Sequence, residues 1–352
     1  MSANWGSNIE LSIFGESHGP YIGINIGHLP AGIKLDMDKI AEDMKRRAPG
    51  QSKITTPRVE KDAFQIISGV LDGYTTGAPL CTIIPNTSQH SKDYSYLKDI
   101  MRPGHSDYPA AVKFRGFNDV RGGGMFSGRI TAPIVFAGAI AKQILAQKNI
   151  YVGAHILSIK DVKDDQYPLN IDLDTLNTHP VLNKDIYPKM VDVIDEARKN
   201  QDSVGGKIEC AVINVPAGIG NPFFDSVESR LTQLLFSIPA VKSVSFGDTL
   251  DITEMYGSEA NDSYYYDNDT VKTRTNHNGG ITGGITNGMP IVFTVGIKPT
   301  PSIAQTQNTV NIKDKTDTTL NIVGRHDPCI VPRAVVVVEA MAAISILDQM
   351  GE

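Results

Sequence analysis

Cysteine is scarce in this chain of 352 residues: Cys81, Cys210 and Cys329 stand far apart, odd in number and without a CxxC pair. That pattern argues against a disulfide framework or a zinc cage and fits a reducing, cytoplasmic setting. Long apolar runs are missing too. The smoothest, about residues 132–141, falls short of the roughly 20 residues that a membrane-spanning helix needs. The first basic residue is Lys34, so no cationic segment precedes an apolar one and a secretory signal is not expected. Nor is there an excess of positive charge. A net charge of -6 and a pI near 5.8 argue against a general nucleic-acid binder, yet leave room for a small anionic ligand.

What is present suits a soluble globular protein, with 41% hydrophobic and 20% charged residues. No tandem repeat or clean linker interrupts it, so one domain over 1–352 is expected. Short strands are read at 9–13 and 21–29 around a turn at Gly15–Gly19. A helix is read at 36–48, with Asp36 as cap and Pro49 as stop. Strands follow at 63–70 and 79–84. A buried helix is expected over about 127–148, although Pro133 moves its cap to Thr131 or kinks it. The stretch 150–206 reads as surface-like with a helix near 189–200. A strand at 207–215, a helix with capping-box spacing from Asp225 and a strand at 290–297 come next. Residues 248–278 read as a long mobile loop. A last buried helix spans 332–349. Strands and helices alternate without regular βαβ spacing, so the fold class is α+β.

Five motifs carry chemistry. Gly15-Glu16-Ser17-His18-Gly19 is first a Gly-bounded turn with an incidental surface histidine, and secondly a candidate general acid. Lys45-Arg46-Arg47, ahead of Lys53, complements a helix C-terminus or forms a fork for phosphate or carboxylate. Between Arg102 and Arg129 lie four arginines, six glycines and one histidine, His105. Cations, bare backbone and a helix start in that order make an anion-binding site. Residues 278–288, rich in glycine, are either close-packed turns or a backbone approaching a flat ring or phosphate. Lys298-Pro299-Thr300-Pro301-Ser302 after them offers one cation and two hydroxyls. Gly324-Arg325-His326-Asp327-Pro328-Cys329 places a carboxylate where it could be a base or an arginine partner. No second His/Asp cluster sits at ligand spacing, so no metal is expected.

Taken in this order, the motifs resemble the chorismate synthase family, nearly end to end from Phe14 to Asp348. The resemblance includes Ser237-Ile238-Pro239-Ala240-Val241-Lys242 and Gly257-Ser258-Glu259. It implies a sandwich of helices and antiparallel sheets, usually assembled as a homotetramer. It also implies conversion of 5-enolpyruvylshikimate 3-phosphate (EPSP) to chorismate and phosphate, the last step of the shikimate pathway, with reduced FMN. By resemblance, His18, His105 and Asp327 are catalytic. Ser127, Pro239, Ala240, Gly283, Lys298, Pro299, Thr300, Pro301, Ser302 and Arg325 line the flavin site. Arg47, Lys53 and Arg129 hold substrate or NADP phosphate anions. Some members reduce the flavin with NADPH. The absence of a further nucleotide motif favours an external reductant, such as a separate flavin reductase. The chain departs from the family where Met125 and Phe126 replace a usual Arg-Ser pair and Ile130 replaces a Glu. Lys53 stands where many members have Arg. A relative that binds flavin without turnover and a phosphohydrolase are the competing classes.

Overall fold

Two antiparallel sheets of five strands enclose a layer of helices in the computed structural model, which describes residues 3–50, 62–87, 97–247, 252–322 and 327–351. The first sheet orders its strands Asn4–Trp5, Glu10–Gly15, Tyr21–Gly27, Leu80–Pro85 and Gln65–Ser68. The second orders Val241–Phe246, Ile291–Ile297, Gly206–Ile213, Tyr151–Ile159 and Val162–Lys163. Eight helices accompany them among the described residues: α1 (Met37–Arg47), α2 (Asp107–Lys113), α3 (Thr131–Ala146), α4 (Leu173–Leu176), α5 (Tyr187–Lys199), α6 (Val227–Leu235), α7 (Gly257–Ala260) and α8 (Val331–Met350). The α+β sandwich expected from the sequence is the architecture observed.

Helices α3 and α8 form the centre of the layer. α3 packs on the first sheet and on α8, and α8 packs on the second sheet, on α6 and on α1. Ala and Val dominate their sequences, so both are buried nearly all round. Their close approach depends on Gly138, since a Cβ there would meet Ala340 Cα at 2.4 Å. One apolar cluster runs through Ile22 and Leu80 of the first sheet, Phe136 and Ile140 of α3, Val338 and Ile344 of α8, and Ile208 and Phe293 of the second sheet. At the far end of α8, Asp348 accepts hydrogen bonds from the Ser7, Asn8 and Ile9 amides and pairs with Arg230, pinning the start of the chain.

The structure resolves the doubt at Pro133. Ser127 caps a short 3-10 turn by accepting from the Arg129 amide, and α3 begins at Thr131. Pro133 is then its third residue, in the first turn, where a missing N–H breaks no helical hydrogen bond. By length and composition Gly128–Ala146 could cross a membrane, but 78% of that window is buried inside the protein. It is a core helix here.

Three local readings change. Residues 151–159 were read as surface-like but form a buried strand of the second sheet. Ser226, not Asp225, caps α6, accepting from the Ser229 amide. The stretch read as a loop, 248–278, contains α7 and a hairpin of Tyr264–Asp267 with Thr270–Thr273. Asp262 organises its return, accepting from the Thr275 hydroxyl, the His277 and Asn278 amides and the Asn278 side chain. Composition suggested mobility there because polar residues that satisfy one another leave no periodic apolar signal.

Candidate active site

The sequence brings four chain reversals to one end of the helical layer. The turn after Glu10–Gly15, the end of α1, the loop into α3 and the start of α8 meet there. They enclose a pocket of about 670 Å³. Segments 236–242 and 298–302 close its other side. The first residues of two long helices, Thr131 of α3 and Arg333 and Ala334 of α8, line it. Helix starts present unpaired N–H groups and positive dipole ends, so both favour an anion. Among the described residues, six lining side chains are Arg or Lys, against one carboxylate, Asp327. The chain as a whole is acidic, so this charge is concentrated by the fold.

The cations differ in their partners. Arg47 and Arg129 share the Asp62 carboxylate. Arg47 Nη1 donates to Asp62 at 2.6 Å, and Arg129 Nη1 donates to its other oxygen. Arg47 also donates to the Thr131 hydroxyl and the Gly128 carbonyl, and Arg129 to the Asn86 and Pro85 oxygens. Burial opposes the charge of Asp62, but the two guanidinium groups outweigh it and hold its carboxyl below the usual range. Both arginines line the pocket, where an anionic ligand would meet them.

Arg102 was read as an anion-binding cation, and the structure assigns it otherwise. It is buried, and its Nε and Nη2 donate to Asp107 at 2.7 Å each. Its Nη1 donates to the Gly122 carbonyl. Its donors face the protein. Burial pushes the Asp107 carboxyl up, but hydrogen bonds from Arg102 and His105 outweigh this and hold it far below the carboxylate range.

Both candidate histidines reach the pocket. His18, read as an incidental surface residue in its turn, is buried. The Ser17 hydroxyl lies 3.2 Å from its Nδ1. Gly122 adopts φ +67°, and a Cβ there would meet the His18 ring at 2.2 Å. Glycine is therefore needed at 122 to seat His18, a link between two motifs about 100 residues apart. Outside this contact, Glu16 is held above the normal carboxyl range by burial and by the charge of Asp119. His105 places Nδ1 2.8 Å from Asp107.

Asp327 lines the pocket and accepts from Arg333 Nη1. Arg333 Nε also donates to the Arg47 carbonyl at 3.0 Å, tying the start of α8 to the end of α1. Ser127, Pro239, Ala240, Lys298, Thr300, Pro301 and Ser302 all line the cavity, with Pro299 between two of them. Lys298 Nζ donates to the Gly104 carbonyl, joining the 298–302 segment to the His105 loop. The Thr300 hydroxyl is buried and has no protein partner, a polar atom left for a ligand. Met125 and Phe126 also line the pocket, with Phe126 tilted against Phe114 at 6.4 Å between ring centroids. An apolar pair thus occupies wall that an Arg-Ser pair would make polar.

Gly283 is not among the lining residues. It turns the hairpin of Ile281–Thr282 with Ile285–Thr286, with nothing within 4 Å of an added Cβ. Lys53 and Arg325 lie outside the described residues. Sequence reasoning missed Asp62, Asp107 and Arg333 as parts of the site. A lone carboxylate in a polar stretch carries no signal of its own. Only the helix-starting Pro332 beside Arg333 hinted at a cation near a ligand.

Comparisons with known proteins identify the family. The chorismate synthase family profile matches residues 9–350. A chorismate synthase of Korarchaeum cryptofilum is 42% identical over 348 residues, covering 98% of this chain and 96% of the relative. One of Cytophaga hutchinsonii is 43% identical over 351 residues, covering 99% and 97%. A crystal structure of chorismate synthase superposes with a TM-score of 0.76 at 27% identity, covering 98% of this chain and 92% of the other. With the profile matched along nearly its whole length, the chain belongs to the chorismate synthase family of enzymes.

Proposed function

We propose that this enzyme converts EPSP to chorismate and phosphate by anti-1,4-elimination and requires reduced FMN. The observation that carries this reading is the convergence of His18, His105 and Asp327 on one cationic pocket in an acidic chain. A cavity of about 670 Å³ is within the range of small-molecule sites. EPSP bears a phosphate and two carboxylates, and FMN bears another phosphate. Charge-assisted hydrogen bonds to such groups are the strong ones, and the low dielectric of a buried pocket strengthens them.

The residues fit a flavin. The unpartnered Thr300 hydroxyl, the Lys298 ammonium and the 239–240 backbone offer a polar cradle, and Phe126 and Met125 offer an apolar wall. Ser127, Pro299, Pro301, Ser302 and Arg325 complete the set expected to hold it. When bound, reduced FMN supplies transient electron density and a proton acceptor for the weakly acidic C6 hydrogen, chemistry that no side chain provides. The chain's own groups do the rest. Arg47, Arg129 and Lys53 hold the substrate anions, and their positive charge favours the departing phosphate. His18 gives that phosphate a proton as it leaves C3. His105 stabilises the reduced flavin. Asp327, oriented by Arg333, assists removal of the C6 proton. The same reading assigns one domain, a homotetramer, a cytoplasmic setting and an external source of reduced flavin, with NADPH as the alternative reductant.

The test is anaerobic. EPSP is added to the protein with and without chemically reduced FMN, and chorismate is followed by absorbance. Product only with reduced FMN supports the reading. Flavin binding without turnover, or phosphate release without flavin, overturns it.

A further inference from the structure

The His105 loop contains a carboxylate whose hydrogen bonds go far beyond charge balance. Asp107 Oδ2 accepts from the Arg102 amide at 3.0 Å and from Arg102 Nε at 2.7 Å. Oδ1 accepts from Arg102 Nη2 at 2.7 Å and lies 2.8 Å from His105 Nδ1. Arg102 Nη2 also stands 3.2 Å from that nitrogen, and the Ser106 hydroxyl 3.3 Å from it. A guanidinium can only donate and a carboxylate can only accept. The shortest contact decides the proton: at 2.8 Å from an ionised carboxylate, Nδ1 must carry hydrogen. His105 lines the pocket, so the nitrogen left to face a ligand is Nε2.

We propose that Asp107 is a positioning residue for the reaction, holding His105 with Nδ1 protonated and Nε2 presented to the pocket. Which ring nitrogen of a histidine carries the proton is set by the bond its other nitrogen makes. Free neutral histidine prefers the opposite tautomer, with hydrogen on Nε2. Without Asp107 the ring would rotate between partners and present a donor and an acceptor in turn. The arrangement reaches further through Arg102. Its Nη1 holds the Gly122 carbonyl, and Gly122 is the residue against which the His18 ring packs. One carboxylate therefore orders both histidines, His105 directly and His18 through Arg102 and Gly122. Lys298, among the described residues, also stands beside the loop, where its ammonium binds the Gly104 carbonyl.

The role in turnover rests on the proposed reaction, whereas the tautomer does not, so the two fail separately. The experiment is long-range proton–nitrogen NMR of the histidine side chains in the full-length, ligand-free protein. The chain has 8 histidines, and a His105→Asn spectrum identifies the signals of His105. At a pH where the ring is neutral, the wild type is expected to show the Nδ1–H form. Asp107→Asn is expected to move His105 toward the Nε2–H form and to shift the His18 signals as well. In the anaerobic assay its kcat should fall about 10- to 100-fold with KM little changed, and Asp107→Glu should recover part of the loss. Nδ1–H in the wild type with a tautomer shift in Asp107→Asn supports the proposal. A wild-type His105 with hydrogen on Nε2 overturns it without any variant being needed. An unchanged tautomer in a folded Asp107→Asn overturns it too, whatever happens to activity.

Discussion

Arg46 and Arg47 are neighbours at the end of α1, yet they enter two opposite kinds of buried ion network. Arg46 donates to both oxygens of Glu339 at 2.7 and 2.6 Å and pairs with Asp43. Lys142 of α3 pairs with the same two carboxylates. Two cations face two anions, and the network is closed under the helices. Arg47 and Arg129 instead share Asp62 and stand at the pocket wall. The balanced set joins α1, α3 and α8. The pocket set lines the cavity, within reach of an anionic ligand. Position, more than charge itself, separates structural from binding cations in this molecule.

The largest way to break the comparison lies in the balanced network. Glu339→Leu leaves Arg46 and Lys142 with Asp43 as their only partner. Removing one side of a buried pair costs about 3–5 kcal/mol. Urea unfolding should show that loss, while the protein that remains folded binds EPSP with unchanged affinity. A loss below about 1 kcal/mol would show that the network is not the tie between the helices. The next effect sharpens the pocket side. Met125→Arg adds a cation to a wall where the family usually has one. It should tighten flavin or EPSP binding by about 1–3 kcal/mol, measured by flavin titration, and equal affinities would contradict the reading. The smallest effect is in the pH dependence. Burial opposes the Glu339 charge, but Lys142 and Arg46 outweigh it, lowering the carboxyl from 4.5 to about 2. A depressed folded-state pKa gives stability that is present above 4.5 and lost as pH falls toward about 2. Acid unfolding should steepen in that window, and a Glu339→Gln variant should show a flatter slope there.

The sequence made some of this visible and hid the rest for physical reasons. Helix α1 was legible because Asp36 caps it, Pro49 follows it and its apolar residues repeat at helix spacing. The last helix was legible from its largely apolar length and from Pro332 in its first turn. The motifs around His18, His105, Asp327 and Lys298 were each legible as local chemistry, and the fold gathers them into one pocket. The partners of each charge were not legible, because pairing depends on which elements meet. Nothing local separates Arg46 from Arg47, or shows that Arg102 turns to Asp107 while Arg47 turns to Asp62 at the pocket wall. Asp62 reaches Arg47 and Arg129 from 15 and 67 positions away. The buried strand at Tyr151–Ile159 escaped for a related reason. It carries His155 and Ser158, polar residues buried by contacts that only the folded sheet supplies.

The two neighbouring arginines offer the most direct test of the central claim, that the pocket-wall guanidinium groups of Arg47 and Arg129 are the anion site. EPSP is titrated calorimetrically into Arg46→Met and Arg47→Met, each below its unfolding temperature. A hydrogen bond to a charged group is worth about 1.5–3 kcal/mol, so Arg47→Met should weaken EPSP binding about 10- to 150-fold. Arg46→Met should be less stable to heat yet bind EPSP within about twofold of the wild type, because its charge is spent inside the helical layer. Equal losses of affinity in the two variants, or a loss confined to Arg46→Met, would contradict the account.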